Sequence, residues 1–317
     1  MKPLRNLFTN RWFLFAIALY SAALLVLSRR PEFSLSDTLI ELAIFGFAFP
    51  LLAWFTTRRA RRFTVDVHPT GTEMLVLAGY IVALSVYLAF GPQTIDSWLP
   101  RDWIASERIK FFVTLVRKLL VFVAFPLVIF GRGFRCSLRN FGFQIAEVRE
   151  VFRSHLPLVL ISCIAILAFQ YFLGGGAAPL REGKFSGEQL LIALPLCFIW
   201  LFIETGLVEE FFFRALLQTR LSAWFRSETT GVVLMALIFG LAHAPGFIFR
   251  HAGVVEGLGA NPSALDAIAY CIVTLSVGGI FVGVVWARTR NLFALMLFHA
   301  AADLFPNLSD FIKTWIS

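Results

Sequence analysis

The chain alternates long apolar runs with short polar and basic segments. A membrane-spanning helix needs about 20 mostly apolar residues, and runs of that order recur along the whole sequence. The predicted spans are 12–28, 38–55, 73–90, 111–130, 156–173, 190–208 with an apolar continuation to 217, 230–247, 266–287 and the shorter 291–304. Strands of a membrane barrel would alternate over about ten residues. The pattern therefore predicts an all-α polytopic membrane protein with eight or nine transmembrane helices.

Basic residues between these runs predict the orientation. Cytoplasmic loops carry an excess of Lys and Arg, and five basic clusters fall on one side if the N-terminus is cytoplasmic. They are Lys2, Arg5 and Arg11; RRARR at 58–62; Arg132, Arg135, Arg139, Arg149 and Arg153; Arg220 and Arg226; and Arg288 and Arg290. Arg29 and Arg30 fall on the other side and count weakly against this topology. The first run lacks a clear small-residue cleavage site, so we interpret it as a retained span.

Composition excludes a soluble protein. Hydrophobic residues make up 58% of the 317 residues, charged residues 15%, and Phe alone occurs 36 times. A soluble domain normally has about 25% charged residues. The net charge of +8 comes with the basic loops, and no basic stripe outside them indicates nucleic-acid binding. The scattered cysteines form no CxxC pair and are interpreted as core residues, without a disulfide framework or metal cluster: Cys136, Cys163, Cys197 and Cys271.

The sixth run, IETGLVEEFFFRALLQ, contains four charges in an apolar stretch. An ionisable residue at a helix centre costs at least about 2.5–3.5 kcal/mol on the insertion scale. Glu210 and Arg214 are four residues apart and can pair on an α-helix, whereas Glu209 points about 100° away. Thr205 and Gly206, one turn before Glu209, are small and leave room for water or a substrate backbone. The alternative is a helix end at which both acids are solvated near the cytoplasm.

Two histidines occupy later spans beside small residues. In FGLAHAP, Phe239 and His243 share a helix face on which Gly240 permits close approach of a second helix. A membrane histidine of this kind can also be a simple hydrogen-bonding packing residue. In FHAAAD, His299 and Asp303 are again four residues apart. An Asp one turn from a His can fix the tautomer of the ring.

Charges in a bilayer pair with one another or line a wet cavity, so one shared cavity is the economical arrangement. It would hold Glu209, Glu210, Arg214, His243, His299 and Asp303. A carboxylate beside an imidazole can activate water, and a second imidazole can donate to an oxyanion. No Ser or Cys nucleophile with a base is apparent, so the predicted chemistry is hydrolysis by an activated water. Arg117 and Lys118 in the fourth span either snorkel or face a carboxylate such as Glu204.

Three motifs with charged or aromatic residues at helical spacing follow one another in the C-terminal half. They are E-E-x-x-x-R at 209–214, F-x-x-x-H at 239–243 and H-x-x-x-D at 299–303. Together they resemble the CAAX prenyl protease and bacteriocin-processing family (CPBP, also called Abi). The stretch GGIFVGVVWARTRNLFALMLFHAAAD is similar to the last two helices of that family. We therefore divide the chain into N-terminal membrane helices, 1–150, and a CPBP-like protease core, 151–317.

The resemblance implies a glutamic-type intramembrane endopeptidase and roles for the matching residues. Glu209 would be the base that activates water, and His243 would help to polarise it. Glu210 and Arg214 would be a supporting pair. The expected substrate is a membrane-associated or lipidated protein or peptide, cut near one terminus, although nothing in the chain implies prenylation. The expected location is the inner (plasma) membrane of a bacterium, with the lipid bilayer as the surrounding partner and no cofactor.

The resemblance also assigns His299 and Asp303 to stabilisation of the oxyanion. Asp303 departs from the prenyl-protease branch, which has Asn at this place. An ionised Asp cannot donate a hydrogen bond to an oxyanion. Asp303 therefore either carries a proton or only orients His299.

Three competing functions remain open on the sequence. A catalytically silent binding or immunity-type membrane protein would have the same fold, although the intact motifs argue against it. A proton-coupled transporter also uses His and carboxylate relays, but no inverted repeat or pair of broken helices is visible. In a metal hydrolase, Glu209, His243, His299 and Asp303 could bind zinc. The chain has no HExxH motif, and the resembled family is thought to work without metal.

Overall fold

The structure, a computed structural model, describes residues 9–144, 146–249, 258–259 and 262–316, so Lys2 and Arg5 of the first basic cluster lie outside the described residues. Within those ranges the protein is helical and contains no strand. Eight helices there are long and apolar enough to cross a membrane, and a further apolar helix has 17 residues. The prediction of an all-α membrane protein with eight or nine spans is confirmed.

The eight membrane-length helices and the 17-residue helix follow the predicted runs one for one. They are α1 (Arg11–Leu27), α2 (Leu35–Thr56), α3 (Gly71–Trp98), α4 (Glu107–Gly133), α5 (Ala146–Leu173), α6 (Gly187–Trp224), α7 (Glu228–Phe249), α8 (Ala264–Thr289) and α9 (Leu292–Trp315). The apolar continuation of the sixth run belongs to α6, which has 38 residues. The predicted end of the last span at 304 is wrong, because α9 continues through Pro306 to Trp315.

Polar residues at the N-caps determine where most of these helices begin. A side-chain oxygen just before each helix accepts a hydrogen bond from a backbone N–H of the first turn, which otherwise has no partner within the helix. At α6, Ser186 accepts from Gln189 N (3.1 Å) and its own N–H donates to Gln189 Oε1 (2.9 Å). The capping residues of seven helices are Asn10, Ser34, Ser106, Ser186, Ser227, Ser263 and Asn291.

The chain forms two compact units by internal contacts. The first comprises Met1–Phe55, Asp66–Ser97 and Leu216–Arg288, and the second comprises Thr56–Val65, Trp98–Ala215 and Thr289–Ser317. The boundary predicted at residue 150 concerned where the family motifs lie, and it stays a prediction.

In the second unit, α6 and α9 pack directly against each other. Their shared core contains Ala193, Cys197, Leu201, Ala300, Leu304, Leu308, Phe311 and Ile312. At Gly206 the two backbones approach so closely that a Cβ atom would lie 2.8 Å from the carbonyl oxygen of Met296. The predicted room for water or substrate at Gly206 is therefore wrong, because the backbone of α9 occupies it. This close approach brings the motif residues of α9 beside those of α6.

A buried polar network in the same unit anchors the start of α9. Glu147 Oε2 accepts from the backbone N–H of Leu292 (2.8 Å), and the side chain of Asn291 donates to the carbonyl oxygen of Glu147 (3.0 Å) and to His155 Nδ1 (3.1 Å). His155 Nε2 donates to the carbonyl oxygen of Arg61 (3.1 Å). Because one ring nitrogen accepts and the other donates, His155 is held as a neutral Nε2–H tautomer. The network fixes the position from which α9 presents its later polar residues.

In the first unit, small residues join α7 to α8, as the sequence predicted. A Cβ at Gly240 would lie 2.2 Å from Ser276 Oγ and 2.4 Å from the carbonyl oxygen of Cys271. The same unit contains a buried ion pair in which Arg220 Nε donates to Glu73 Oε1 at 2.7 Å. Arg220 is fully buried inside a helix, so counting it among the loop charges is wrong, whereas the side of the membrane on which it lies stays a prediction.

Candidate active site

The two acidic motif residues lie at a junction in the backbone of α6. Phe202–Leu207 and Glu210–Gln218 are π-helical, and Glu209 stands between these two stretches. A π-helical turn has i→i+5 hydrogen bonds and is often found at functional sites. The junction lies well inside the 38-residue helix, which excludes the alternative of two acids solvated at a helix end.

Glu210 and Arg214 form the pair that their spacing predicted. Arg214 Nη1 donates to Glu210 Oε1 at 3.1 Å, and their side chains are 0% and 1% exposed. The same carboxylate oxygen of Glu210 accepts a hydrogen bond from His299 Nδ1 at 2.6 Å. Charge-assisted hydrogen bonds of this length are strong. Glu210 therefore holds both Arg214 of its own helix and the imidazole of α9.

The other nitrogen of His299 faces two carboxylates. His299 Nε2 lies 3.6 Å from Glu209 Oε2 and 3.5 Å from Asp303 Oδ2. These separations exceed the 2.7–3.2 Å of a direct N–H···O bond. The side chains of Glu209, His299 and Asp303 are 17%, 11% and 31% exposed, so this side of the ring is partly open, unlike the closed side at Glu210.

Lys118 faces Glu204, which was one of the two alternatives left by the sequence. Lys118 Nζ lies 2.5 Å from Glu204 Oε1, and this contact joins α4 to α6 within the second unit. Its neighbour Arg117 donates from Nη2 to Thr114 Oγ1 of the same helix at 3.3 Å. Lys118 also interacts electrostatically with Glu209 and Asp303.

His243 lies in the first unit, at a break in α7. The first part of this helix ends at Leu241, and a second part begins at Ala244. Pro245 accounts for the break, because its ring clashes with the carbonyl of the residue four before it and it has no N–H to donate. The expectation of an uninterrupted helix through His243 is therefore wrong. Its contact with Phe239 is nevertheless present, as the rings lie 5.1 Å apart.

The hydrogen bond of His243 determines which ring nitrogen is available. Its Nδ1 lies 2.9 Å from the carbonyl oxygen of Phe239. Because a carbonyl can only accept, Nδ1 carries the hydrogen, and in a neutral ring Nε2 is then an acceptor. Such an Nε2 can accept a hydrogen bond from water.

The second unit thus brings together five of the six predicted site residues. They are Glu209, Glu210, Arg214, His299 and Asp303. The sixth, His243, belongs to the first unit, and its convergence with Glu209 stays a prediction. No group of three or more His, Cys, Asp or Glu residues suited to a metal ion occurs among the described residues.

Sequence reasoning missed the network that holds α9 and counted Arg220 as a loop charge. Glu147 and Asn291 lie at the edges of apolar runs, where polar residues are ordinary caps or loop residues. Their partners are distant in sequence, with 145 positions between Glu147 and Leu292. The other missed feature is the ion pair of Glu73 and Arg220. Glu73 stands at the start of one apolar run and Arg220 just after the end of another, and this placement is the signal that could have indicated the pair.

Ionisable residues inside the spans of a helical membrane protein mark a candidate functional site. A family model described as type II CAAX prenyl endopeptidase Rce1-like matches residues 191–305. This segment is similar to the CAAX protease family that its motifs resemble. The match supports, at the level of class, an intramembrane endopeptidase acting on a membrane-associated protein. Comparison with curated proteins gave no match, and comparison with solved structures gave none.

Proposed function

We propose that this protein hydrolyses a peptide bond near a terminus of a membrane-associated or lipidated protein, with a water molecule activated by Glu209. One observation carries the proposal. The imidazole of His299 is hydrogen-bonded to Glu210 on one side, and on its partly open side it faces Glu209 and Asp303 at 3.5–3.6 Å. Because these distances exceed those of direct hydrogen bonds, Nε2 of His299 can donate to a substrate oxygen, and the carboxylates can accept from a water, placed beside them.

The reaction follows from the positions of these groups. Glu209 accepts a proton from water while the water oxygen attacks the carbonyl carbon of the substrate. The carbonyl oxygen becomes an oxyanion and accepts a hydrogen bond from Nε2–H of His299. Glu209 then gives its proton to the leaving nitrogen as the C–N bond breaks. The products are a new carboxylic acid and a new amine, which exchange a proton to become a carboxylate and an ammonium group, and the enzyme returns to its starting state.

Glu210 and Arg214 support this reaction by fixing the ring. The 2.6 Å contact with Glu210 keeps a hydrogen on Nδ1 of His299 and sets the direction in which Nε2 points. Arg214 offsets the negative charge of Glu210 at 3.1 Å. These two residues act through His299, and no contact of either with substrate is proposed.

Asp303 and His243 have secondary roles in the proposal. Asp303 Oδ2, at 3.5 Å from His299 Nε2, orients and charges the ring, since an ionised carboxylate cannot itself donate to an oxyanion. His243 polarises the attacking water through its Nε2 acceptor, which requires convergence with Glu209. A structure with substrate analogue that placed His243 more than about 10 Å from Glu209 would remove this second role, because hydrogen-bond reach is its first requirement.

The experiment that tests the function is a comparison of membrane proteomes. Cells expressing the wild-type chain and cells expressing Glu209→Gln are analysed for peptides at protein termini. We expect at least one membrane-associated protein whose terminus is shortened only with the wild type. Glu188→Gln is the matched control, because Glu188 is exposed in the first turn of the same helix, and it should reproduce the wild-type termini. Identical termini in all three strains, with the chain folded and abundant, would argue for a silent binding protein.

A further inference from the structure

The second unit exposes arginines on two stretches of its surface, at 58–62 and 132–153. They are Arg58, Arg59, Arg61, Arg62, Arg132, Arg135, Arg139, Arg149 and Arg153. Neither stretch contains a lysine, and the acids in them are Glu147 and Glu150. Both acids are buried, where Glu147 accepts from the backbone N–H of Leu292 (2.8 Å) and Glu150 accepts from Ser154 Oγ. The charge that these stretches expose is therefore positive.

Hydrogen bonds place the two stretches side by side. His155 Nε2 donates to the carbonyl oxygen of Arg61 (3.1 Å), and the side-chain amide of Gln144 donates to the carbonyl oxygen of Thr64 (3.5 Å). The segment 61–64 therefore lies beside the start of α5. These contacts bring four exposed arginines onto one face, which we call the basic surface: Arg61, Arg62, Arg149 and Arg153.

Exposed apolar side chains alternate with arginines in this region. Three of them, at 60%, 40% and 66% exposed, stand directly before an exposed arginine in the chain: Leu138 before Arg139, Val148 before Arg149, and Phe152 before Arg153. The excess of basic residues in cytoplasmic loops accounts for arginines near a span, but it requires no apolar side chains between them. Basic residues combined with exposed apolar ones are typical of a surface at the boundary between lipid head groups and acyl chains.

The length of α5 puts the basic surface at that boundary. Its 28 residues rise by about 42 Å, whereas the hydrocarbon core of a bilayer is about 30 Å thick. The apolar run that predicts this span begins only at Leu156, so the first turns of α5 extend past the hydrocarbon core. Phe152 and Arg153 are thus placed where acyl chains and phosphate groups are both within reach.

We propose that the basic surface binds the head group of an anionic phospholipid from the surrounding bilayer. A guanidinium donates two parallel hydrogen bonds to one phosphate, and Val148 and Phe152 contact the acyl chains below it. A head group with a net negative charge is favoured over a zwitterionic one, because a zwitterionic head group carries an ammonium beside its phosphate. The inference goes beyond the proposed reaction and does not depend on the role of Glu209.

The test is lipid binding by the purified full-length protein in a neutral detergent, measured by native mass spectrometry. Phosphatidylglycerol is the anionic probe, and phosphatidylcholine with the same acyl chains is the zwitterionic one. The wild type should bind phosphatidylglycerol more tightly. The double variant Arg149→Gln, Arg153→Gln should weaken that binding by about 25-fold, at about fivefold for each arginine, and should leave the binding of phosphatidylcholine unchanged.

Two further double variants are the controls. Arg149→Lys, Arg153→Lys keeps the charge and should retain most of the affinity. Arg29→Gln, Arg101→Gln removes the same charge from exposed arginines outside the basic surface and should bind both lipids as the wild type does. If Arg149→Gln, Arg153→Gln does not fold, the two single variants decide, with an expected loss of about fivefold each.

Four results would overturn the proposal. A folded Arg149→Gln, Arg153→Gln protein could bind phosphatidylglycerol as tightly as the wild type, or the Arg29→Gln, Arg101→Gln control could lose as much affinity. Water-soluble glycerol phosphate could bind as tightly as the lipid, which would assign the surface to a free phosphate compound. Equal affinity for the two lipids would leave an acidic protein segment as the better partner for these arginines.

Discussion

Replacing Glu210 by Ala should destabilise the protein strongly, because Arg214 and His299 each lose a buried hydrogen-bond partner at once. The carboxylate accepts from Arg214 at 3.1 Å and from His299 at 2.6 Å, and the Glu–Arg pair is almost fully buried. Removing one member of a buried ion pair leaves the other charge uncompensated and costs about 3–5 kcal/mol. Every 1.4 kcal/mol is tenfold, so the unfolding equilibrium constant should rise by roughly 10²–10⁴.

The assay is unfolding of detergent-purified protein, together with its abundance in membranes. Glu188→Ala is the control, because this exposed residue lies on the same helix and should change the free energy of unfolding by less than about 0.5 kcal/mol. The double variant Glu210→Leu, Arg214→Leu removes both charges and should recover part of the stability, since apolar replacement of a buried pair is often neutral. A Glu210→Ala protein as stable as the wild type would refute the reasoning.

Three further predictions concern the site, the packing and the topology. Asp303→Asn should keep kcat within about tenfold of the wild type in a peptide assay, because an amide can donate where an ionised carboxylate cannot; a loss beyond about 10²-fold would contradict it. Gly206→Val should lower the free energy of unfolding by about 1–3 kcal/mol, because its Cβ would meet the backbone of α9, whereas Gly187→Ala, with nothing within 4 Å, should be near neutral. Reporter fusions after Arg62 and after Arg139 should both report the cytoplasm, and a periplasmic signal at either would break the topology.

Local features of the sequence account for much of the fold and for part of the site. Apolar runs of membrane length predict each helix because burial in lipid leaves few other choices for the backbone. The pair of Glu210 and Arg214 follows from a four-residue spacing on one helix. The contact of Lys118 with Glu204 could be anticipated because a charge inside a span needs a partner.

Contacts between distant segments were harder to predict. Glu73 and Arg220 are 147 positions apart, and each lies near the end of an apolar run, where a solvated charge is the ordinary interpretation. Gly206 shows a second ambiguity, because a small residue can leave space for a ligand or admit a neighbouring backbone. The local sequence is the same in both cases. Only the packing of α9 against α6 shows that a neighbouring backbone, and not a ligand, lies at Gly206. His243 shows a third ambiguity. The prediction continued the helix through His243, whereas Pro245 interrupts it there.

The most direct test of the central claim is the cleavage rate of purified Glu209→Gln. The substitution is nearly isosteric and removes the carboxylate that accepts the proton, and general-base catalysis contributes typically about 10²–10⁴-fold. If the variant has the same free energy of unfolding as the wild type, its rate constant for cleavage should be lower by at least about 10²-fold. A folded Glu209→Gln protein that cleaves at close to the wild-type rate would contradict the assignment of Glu209 as the base and, with it, the proposed mechanism.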